Sequence, residues 1–166
     1  MNALWAYFWP PFCAGLIAGI IGGAIAFRKQ KKRNAALAIG AAAAIVIAVL
    51  WHGPFGAADR YVAQVERTVR QTIVFNEIQW VTGHVHHGPL TRRVILSGRA
   101  DDFQRSELAR MIGELPGVSS AQWTPQPGGV PLIIEGAVIA ILGFLFGLLV
   151  AYLRELRRRY NAQWNW

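Results

Sequence analysis

Charged side chains are scarce in this sequence, and three long stretches almost lack them. Asp, Glu, Lys and Arg make up 16% of the 166 residues, whereas soluble domains have about a quarter. Residues 4–27, 35–51 and 130–153 hold one such side chain, that of Glu135. Apolar runs of this length match a hydrocarbon core of ~30 Å at a helical rise of ~1.5 Å per residue. The sequence therefore predicts three transmembrane helices.

Cysteine is nearly absent, and the residue sets of common catalytic sites are missing. The single cysteine, Cys13, lies in the first apolar run, so no intrachain disulfide can form. No Ser-His-Asp or Cys-His set, phosphate-binding loop or pair of carboxylates occurs at a usable spacing. We therefore expect no catalytic residues, no cofactor and no enzymatic activity.

The first apolar run also has no Lys or Arg before it, which argues against a cleaved signal peptide. Ala24-Ile25-Ala26 resembles a cleavage site, but the positive charges follow the run at residues 28–33 instead of preceding it. We expect residues 1–27 to stay in the protein as transmembrane helix 1.

The basic residues outside the middle of the chain are concentrated beside the apolar runs. Five of the six residues 28–33 are basic, and Arg154, Arg157, Arg158 and Arg159 follow the third run. By the positive-inside rule both segments stay in the cytoplasm of a bacterial inner membrane, so the N-terminus and the middle of the chain lie in the periplasm. The predicted order is transmembrane helix 1 (1–27), a cytoplasmic basic loop (28–34), transmembrane helix 2 (35–53), a periplasmic domain (54–129), transmembrane helix 3 (130–153) and a cytoplasmic basic and aromatic tail (154–166).

The formal net charge of +8 comes from these membrane-flanking segments. Residues 54–129 hold eight Arg against seven Asp or Glu, so the predicted periplasmic domain is close to neutral. Basic residues beside the cytoplasmic leaflet attract anionic lipid at ~1 kcal/mol each. Membrane lipids are therefore expected partners, and nucleic acid is not.

Hydrophobic periodicity predicts two helices in the periplasmic domain. The first runs from Ala57 to about Phe75, and its apolar face is formed by Val62, Val65, Val69 and Ile73. The second is capped by Asp101 and Asp102 and runs to Leu115. We expect its buried side to contain Phe103, Leu108, Ile112 and Leu115.

Three strands complete this domain. Residues 77–85 and 92–100 are rich in strand-forming residues and flank a turn at Gly88-Pro89. A short strand is predicted at 118–124. The order of elements is therefore α-β-β-α-β, and the fold class is a membrane protein with three transmembrane α-helices and a small α+β domain outside the membrane.

Several residues of this domain resemble the BON domain of bacterial envelope proteins. They are the strand 94–98 (Val-Ile-Leu-Ser-Gly), a helix with Arg105 and Ala109, and the step Pro116-Gly117-Val118 into a last strand. Gly98 lets the strand turn into the helix, and Gly117 supplies a left-handed helix end. The resemblance covers residues 55–124, and the chain as a whole is similar to small inner-membrane proteins of alphaproteobacteria.

The resemblance implies an α+β sandwich of two helices on a small sheet. It also implies a non-catalytic module that associates with envelope lipid or with other proteins. Three features depart from the family pattern: a bulky first strand, a longer hairpin that contains histidines, and a shortened last strand.

Two histidines on the first predicted strand are candidate metal ligands. His84 and His86 are two residues apart, so their imidazoles point to the same face of the strand. A metal site needs a third ligand, and His87 points to the other face. The alternative is an exposed polar hairpin end.

Glu135 is the one carboxylate within a predicted membrane segment. Acids in such segments can mark proton or ion paths. Glu135 follows Pro131 by only four residues, however, so we expect it to reach the outer interface, where His52 could pair with it. No second acid continues a path inward, which favours an interfacial hydrogen bond over a proton relay.

Glycines recur at helix-packing spacing in two of the apolar runs. Gly15, Gly19 and Gly23 are four residues apart, as are Gly143 and Gly147. Small residues at this spacing let two helix backbones approach closely. These faces either pack the three spans on each other or dock a helix of another protein.

Aromatic residues occur at both ends of the chain. Trp5 and Trp9 precede Pro10-Pro11, which predict a bend or the start of helix 1, with residues 1–9 along the membrane surface. Trp164 and Trp166 follow Arg157 and Arg158. These residues are predicted to anchor the chain in the headgroup zone, or alternatively to insert into a partner.

The lack of catalytic sets, the small helix faces and the aromatic ends together predict a role. We expect a non-catalytic accessory or assembly subunit of a larger inner-membrane complex, with the periplasmic domain as the docking surface. Its expected partners are other integral membrane proteins. A membrane-tethered periplasmic module that binds a lipid or ligand is the alternative.

Overall fold

The protein forms two compact units in a computed structural model, which describes residues 2–28, 30–78, 80–125 and 128–164. The α+β unit contains the chain up to Tyr7 and Gly56–Glu135. The helical unit contains Phe8–Phe55 and the chain from Gly136 onward.

The order of elements confirms the α-β-β-α-β prediction for the middle of the chain. In chain order the elements are α1 (Ala3–Arg28), a 3-10 turn (Gln30–Lys32), α2 (Arg33–His52), α3 (Ala57–Phe75), β1 (Val81–His87), β2 (Leu90–Gly98), α4 (Asp102–Gly113), β3 (Ser120–Gln122) and α5 (Leu132–Trp164).

Helices α1, α2 and α5 are long and apolar enough to cross a membrane. Helix α5 has 33 residues, which corresponds to ~50 Å at ~1.5 Å per residue. It therefore continues without interruption through residues 154–164, where the sequence indicated a separate tail.

Several boundaries differ from the sequence-based prediction: β2 lies two residues earlier than predicted, β3 is shorter at both ends, and α4 ends at Gly113 instead of Leu115. Pro10 and Pro11 lie inside α1, which begins at Ala3, so of the two predicted alternatives, a bend or a helix start, the helix start is wrong. Pro11 is fully buried, and membrane-type helices tolerate proline where neighbouring segments pack against it. Strand β1 begins at Val81, four residues later than predicted, because Glu77 adopts a left-handed φ of 57° that interrupts extended backbone.

The α+β unit is built on a three-stranded sheet in the order β1-β2-β3. Strands β1 and β2 are antiparallel, with Val81 opposite Gly98 and Val85 opposite Val94. Strand β3 is parallel to β2 and pairs Ala121 with Val94. Helix α4 makes the crossover between β2 and β3, and both α3 and α4 pack against the sheet and against each other.

The core of this unit follows a stricter spacing than the sequence indicated. The buried residues of α3 recur every four positions, at Ala57, Tyr61, Val65, Val69 and Ile73. Val62, which was assigned to the buried stripe, is only partly buried. In α4, Leu108 and Ile112 are buried as expected.

Close backbone contact between α1 and α5 organises the helical unit. A β-carbon at each of four glycines would collide with a carbonyl oxygen of the other helix; the pairs are Gly15 with Ala140, Gly19 with Phe144, Gly143 with Phe12, and Gly147 with Leu16. A β-carbon at Gly23 would lie 2.7 Å from that of Ala151. All five glycines that the sequence indicated thus lie where α1 and α5 touch.

Helix α2 joins this pair through its own small residues. Ala44 and Ala48 are buried in a cluster with Ala140 and Phe144 of α5. A β-carbon at Gly40 would lie 2.8 Å from the Phe144 ring. The small faces therefore pack the three helices on each other, as one of the two sequence-based interpretations required.

Replacing Gly19 with valine should destabilise the helical unit by ~1–3 kcal/mol, because the new side chain would meet the Phe144 backbone, which cannot move aside as a side chain could. Thermal unfolding of the full chain in detergent micelles measures the change. Gly53→Ala is the control, since a β-carbon there has its nearest neighbour at 3.7 Å. Equal melting temperatures for the two variants would contradict the proposed backbone contact.

Candidate functional site

Four large apolar side chains are exposed at one end of the α+β unit. Phe75, Trp80 and Phe103 are 88%, 76% and 75% exposed, and Val74 is exposed beside them in sequence. These four residues are called the aromatic pole below. They come from the end of α3, the segment before β1 and the first turn of α4.

The chain connections bring these segments to the same end of the unit. Val81, the first residue of β1, pairs with Gly98, the last residue of β2, and the Arg99 amide donates a hydrogen bond to the Trp80 carbonyl at 3.3 Å. Gly98 has a φ of 131°, and a β-carbon there would collide with the Trp80 carbonyl. Only glycine fits this closely paired position, so the sequence holds Trp80 next to the β2–α4 connection.

A capping box fixes the start of α4, and with it Phe103. The Gln104 amide donates to the Asp101 carboxylate at 2.7 Å, and the Asp101 amide donates to the Gln104 side chain at 3.2 Å. The cap predicted at Asp101 is therefore confirmed.

The prediction that Phe103 is buried is wrong. It lies five residues before Leu108, which places it about 140° away around the helix at ~3.6 residues per turn. The spacing of Leu108 and Ile112 would have shown that Phe103 lies off the buried stripe.

Glu135 has a partner that sequence reasoning did not identify. Its Oε2 is 3.2 Å from an Arg92 guanidinium nitrogen, and both side chains are about three-quarters buried. Arg92 lies in β2 and Glu135 in the first turn of α5. The expected partner, His52, is the last residue of α2.

Polar groups surround this ion pair inside the α+β unit. The Tyr61 hydroxyl donates a hydrogen bond to the Gly117 carbonyl at 2.7 Å, and its ring meets that of Tyr7 edge-on at 6.1 Å. Thr91 is buried, and its hydroxyl has no hydrogen-bond partner among the described residues. Tyr61 was not singled out in the sequence, because an aromatic residue on an apolar stripe gives no signal of its hydroxyl's partner.

The effect of Tyr61→Phe on the stability of the fold should change sign as the pH rises. Burial raises the pKa of the Tyr61 hydroxyl to about 12, whereas an unfolded tyrosine ionises near pH ~10. Below pH ~10 the variant should be less stable by ~1 kcal/mol because it loses the hydrogen bond to Gly117. Between ~10 and about 12 the unfolded wild type releases a Tyr61 proton that the folded state retains, so wild-type stability falls more steeply with rising pH than that of the variant.

Thermal unfolding of both proteins from pH ~8 to ~11 measures this difference. The other tyrosines are common to both chains, so the difference between the two curves isolates Tyr61. Parallel curves across this range would show that the Tyr61 hydroxyl is not held in a buried site.

The two candidate metal ligands, His84 and His86, lie on β1 and contact different groups. His84 Nδ1 is 3.6 Å from a Glu66 carboxylate oxygen, and that oxygen also accepts a hydrogen bond from the Val85 amide at 3.1 Å. His86 Nδ1 lies 3.1 Å from the Pro89 carbonyl oxygen. Within residues 2–28, 30–78, 80–125 and 128–164 no three His, Cys, Asp or Glu side chains form a group that could hold a metal ion.

The basic residues meet at one end of the helical unit. Arg28 of α1 and Arg154, Arg157 and Arg158 of α5 line one cleft. Arg33 of α2 and Arg159 of α5 line another. Segments that are more than 120 residues apart in the sequence therefore share one end of the helix bundle.

The structure describes the side chains of two predicted aromatic anchors, Trp5 and Trp9. Trp5 and Trp9 are exposed on α1, and Trp9 stacks on Phe12 at 5.6 Å. Trp164 is the last residue of α5, and Trp166 lies outside the described residues.

Compared with known proteins, the chain matches no family model, no curated protein and no solved structure. The similarity to BON domains therefore stays a prediction from the sequence.

Proposed function

We propose that this protein is a non-catalytic accessory or assembly subunit of a larger membrane complex. Its α+β unit serves as the docking surface for an extramembrane segment of another integral membrane protein. The observation that carries the proposal is the aromatic pole, where Phe75, Trp80 and Phe103 are each at least three-quarters exposed. Aromatic side chains are enriched among the residues that dominate binding energy in protein interfaces.

The aromatic pole lies at the end of α3 opposite to the chain's entry into the α+β unit. The chain enters the unit from α2 at the start of α3, and Tyr61, near that start, contacts Tyr7 and Gly117. The pole is at the other end of α3, a helix of 19 residues, or ~28 Å at ~1.5 Å per residue.

The orientation we propose is the one that the positive-inside rule requires. Arg28, Arg33 and the arginines after residue 153 lie at one end of the helix bundle, which supports a common cytoplasmic location for the two basic segments. The α+β unit then lies on the periplasmic side of a bacterial inner membrane.

An apolar groove of ≈ 590 Å³ between α1 and α2 offers space for a helix of the partner.

The second candidate is a membrane-tethered module that binds a lipid or ligand, as BON domains are expected to do. It is favoured by the α-β-β-α-β order and by the positive φ angles of Gly98 and Gly117, two glycines of the resembling motif. Binding of the purified protein to anionic vesicles would support this candidate instead, if substitutions in the α+β unit outside the aromatic pole abolish that binding.

Replacing Phe75, Trp80 and Phe103 by glutamine should release the protein from its complex. If the three anchors together contribute ~2 kcal/mol to the binding free energy, their loss weakens binding about 30-fold. Native gels and quantitative copurification from membranes in mild detergent measure the loss. Because the three side chains are exposed, the melting temperature should stay unchanged.

Val130→Gln is the matched control, since Val130 is an exposed apolar residue of the same unit that is not part of the pole. It should leave the complex intact. Migration of the wild-type protein only as a free monomer, or retention of the triple variant in the complex, would overturn the proposal.

A further inference from the structure

The helical unit has an amphipathic cleft between the ends of α1 and α5. Its volume is ≈ 520 Å³. The apolar part of the lining is formed by Ile20, Ala24, Phe27, Val150 and Ala151. The polar part is formed by Arg28, Arg154, Arg157, Arg158, Glu155 and Asn161.

The charge of this cleft is strongly positive and only partly compensated. Glu155 is largely buried and accepts from Arg158 at 3.0 Å and from Arg159 at 3.1 Å. Among the described residues, the side chains of Arg28, Arg154 and Arg157 form no ion pair with an acidic group. The cleft thus presents guanidinium groups that are available to an anion.

We propose that this cleft binds an anionic phospholipid. Its phosphate would contact the arginines, and the part of an acyl chain nearest the headgroup would pack against the apolar lining. Guanidinium groups form strong charge-assisted hydrogen bonds with phosphate oxygens. Basic pockets between membrane helices are suited to anionic headgroups. The proposal stands independently of the subunit role.

The length of the apolar lining distinguishes a lipid from a soluble anion. From Ile20 to Arg28 the cleft follows nine residues of α1, whose eight steps span ~12 Å at ~1.5 Å per residue. Inorganic phosphate would contact only the arginine end and leave this apolar surface uncovered. A phospholipid covers both parts at once, because its charged headgroup is followed by an apolar chain just as the arginine end of the cleft is followed by the apolar lining.

Native mass spectrometry of the full chain tests the proposal. The protein is held in detergent micelles with equal amounts of phosphatidylglycerol and phosphatidylcholine that carry the same acyl chains. We expect preferential retention of phosphatidylglycerol by the wild type. Arg28→Gln with Arg154→Gln should weaken that retention about 30-fold, from ~1 kcal/mol for each arginine.

Two further variants separate a site from general charge attraction. Lys31→Gln with Lys32→Gln removes the same charge from the adjoining segment without touching the cleft, and it should retain phosphatidylglycerol like the wild type. Ala24→Phe keeps every charge but fills the apolar part of the cleft, and it should reduce retention. Thermal unfolding checks that each variant is folded.

Four outcomes would overturn the proposal. They are wild-type retention of both lipids alike, equal losses in the arginine and lysine variants, undiminished retention by a folded Ala24→Phe variant, and displacement of the lipid by millimolar inorganic phosphate. The first would indicate that the protein does not prefer the anionic lipid. The second and third would indicate general charge attraction without a specific site, and the last would indicate a site for a free anion.

Discussion

The helical unit depends on the close approach of two backbones. At Gly15 and Gly19 on one side and Gly143 and Gly147 on the other, α1 and α5 are too close for any side chain at these positions. In a bilayer, where the hydrophobic effect does not drive helices together, contacts of this kind supply the packing energy. The same contact sets α1 beside α5 along its length, and it thereby brings Arg28 next to Arg154. The anionic-lipid site that we propose exists only because the glycines allow this approach.

The interior of the α+β unit is closely packed, whereas one end of the unit exposes large aromatic side chains. Its interior is specified by a four-residue repeat on α3 and by glycines whose positions exclude a β-carbon. Phe75, Trp80 and Phe103 contribute nothing to this interior and remain exposed. Large aromatic side chains in water lower solubility and add no fold stability, which is why we infer a partner for them.

Much of the fold could be predicted because it depends on local signals. Long apolar runs and the α-β-β-α-β order follow from hydrophobic periodicity, and the cap at Asp101 follows from a short-range motif. One failure could have been avoided, because the spacing of Phe103 from Leu108 places it off the buried face of α4. In the other two, Glu77 interrupts a run of strand-forming residues and Pro11 is buried inside a helix, and neighbours in space decide both.

By itself, the sequence determined which segments are suited to a membrane, where the basic residues lie along the chain and which glycines permit close packing, because composition and spacing carry that information directly. Only the tertiary structure decided that Arg92 pairs with Glu135, that Tyr61 donates to Gly117 and that the basic ends of α1 and α5 share one cleft. Each of these contacts joins residues more than 40 positions apart. Periodicity shows which face of an element is buried, but the residue that meets it depends on how the elements pack.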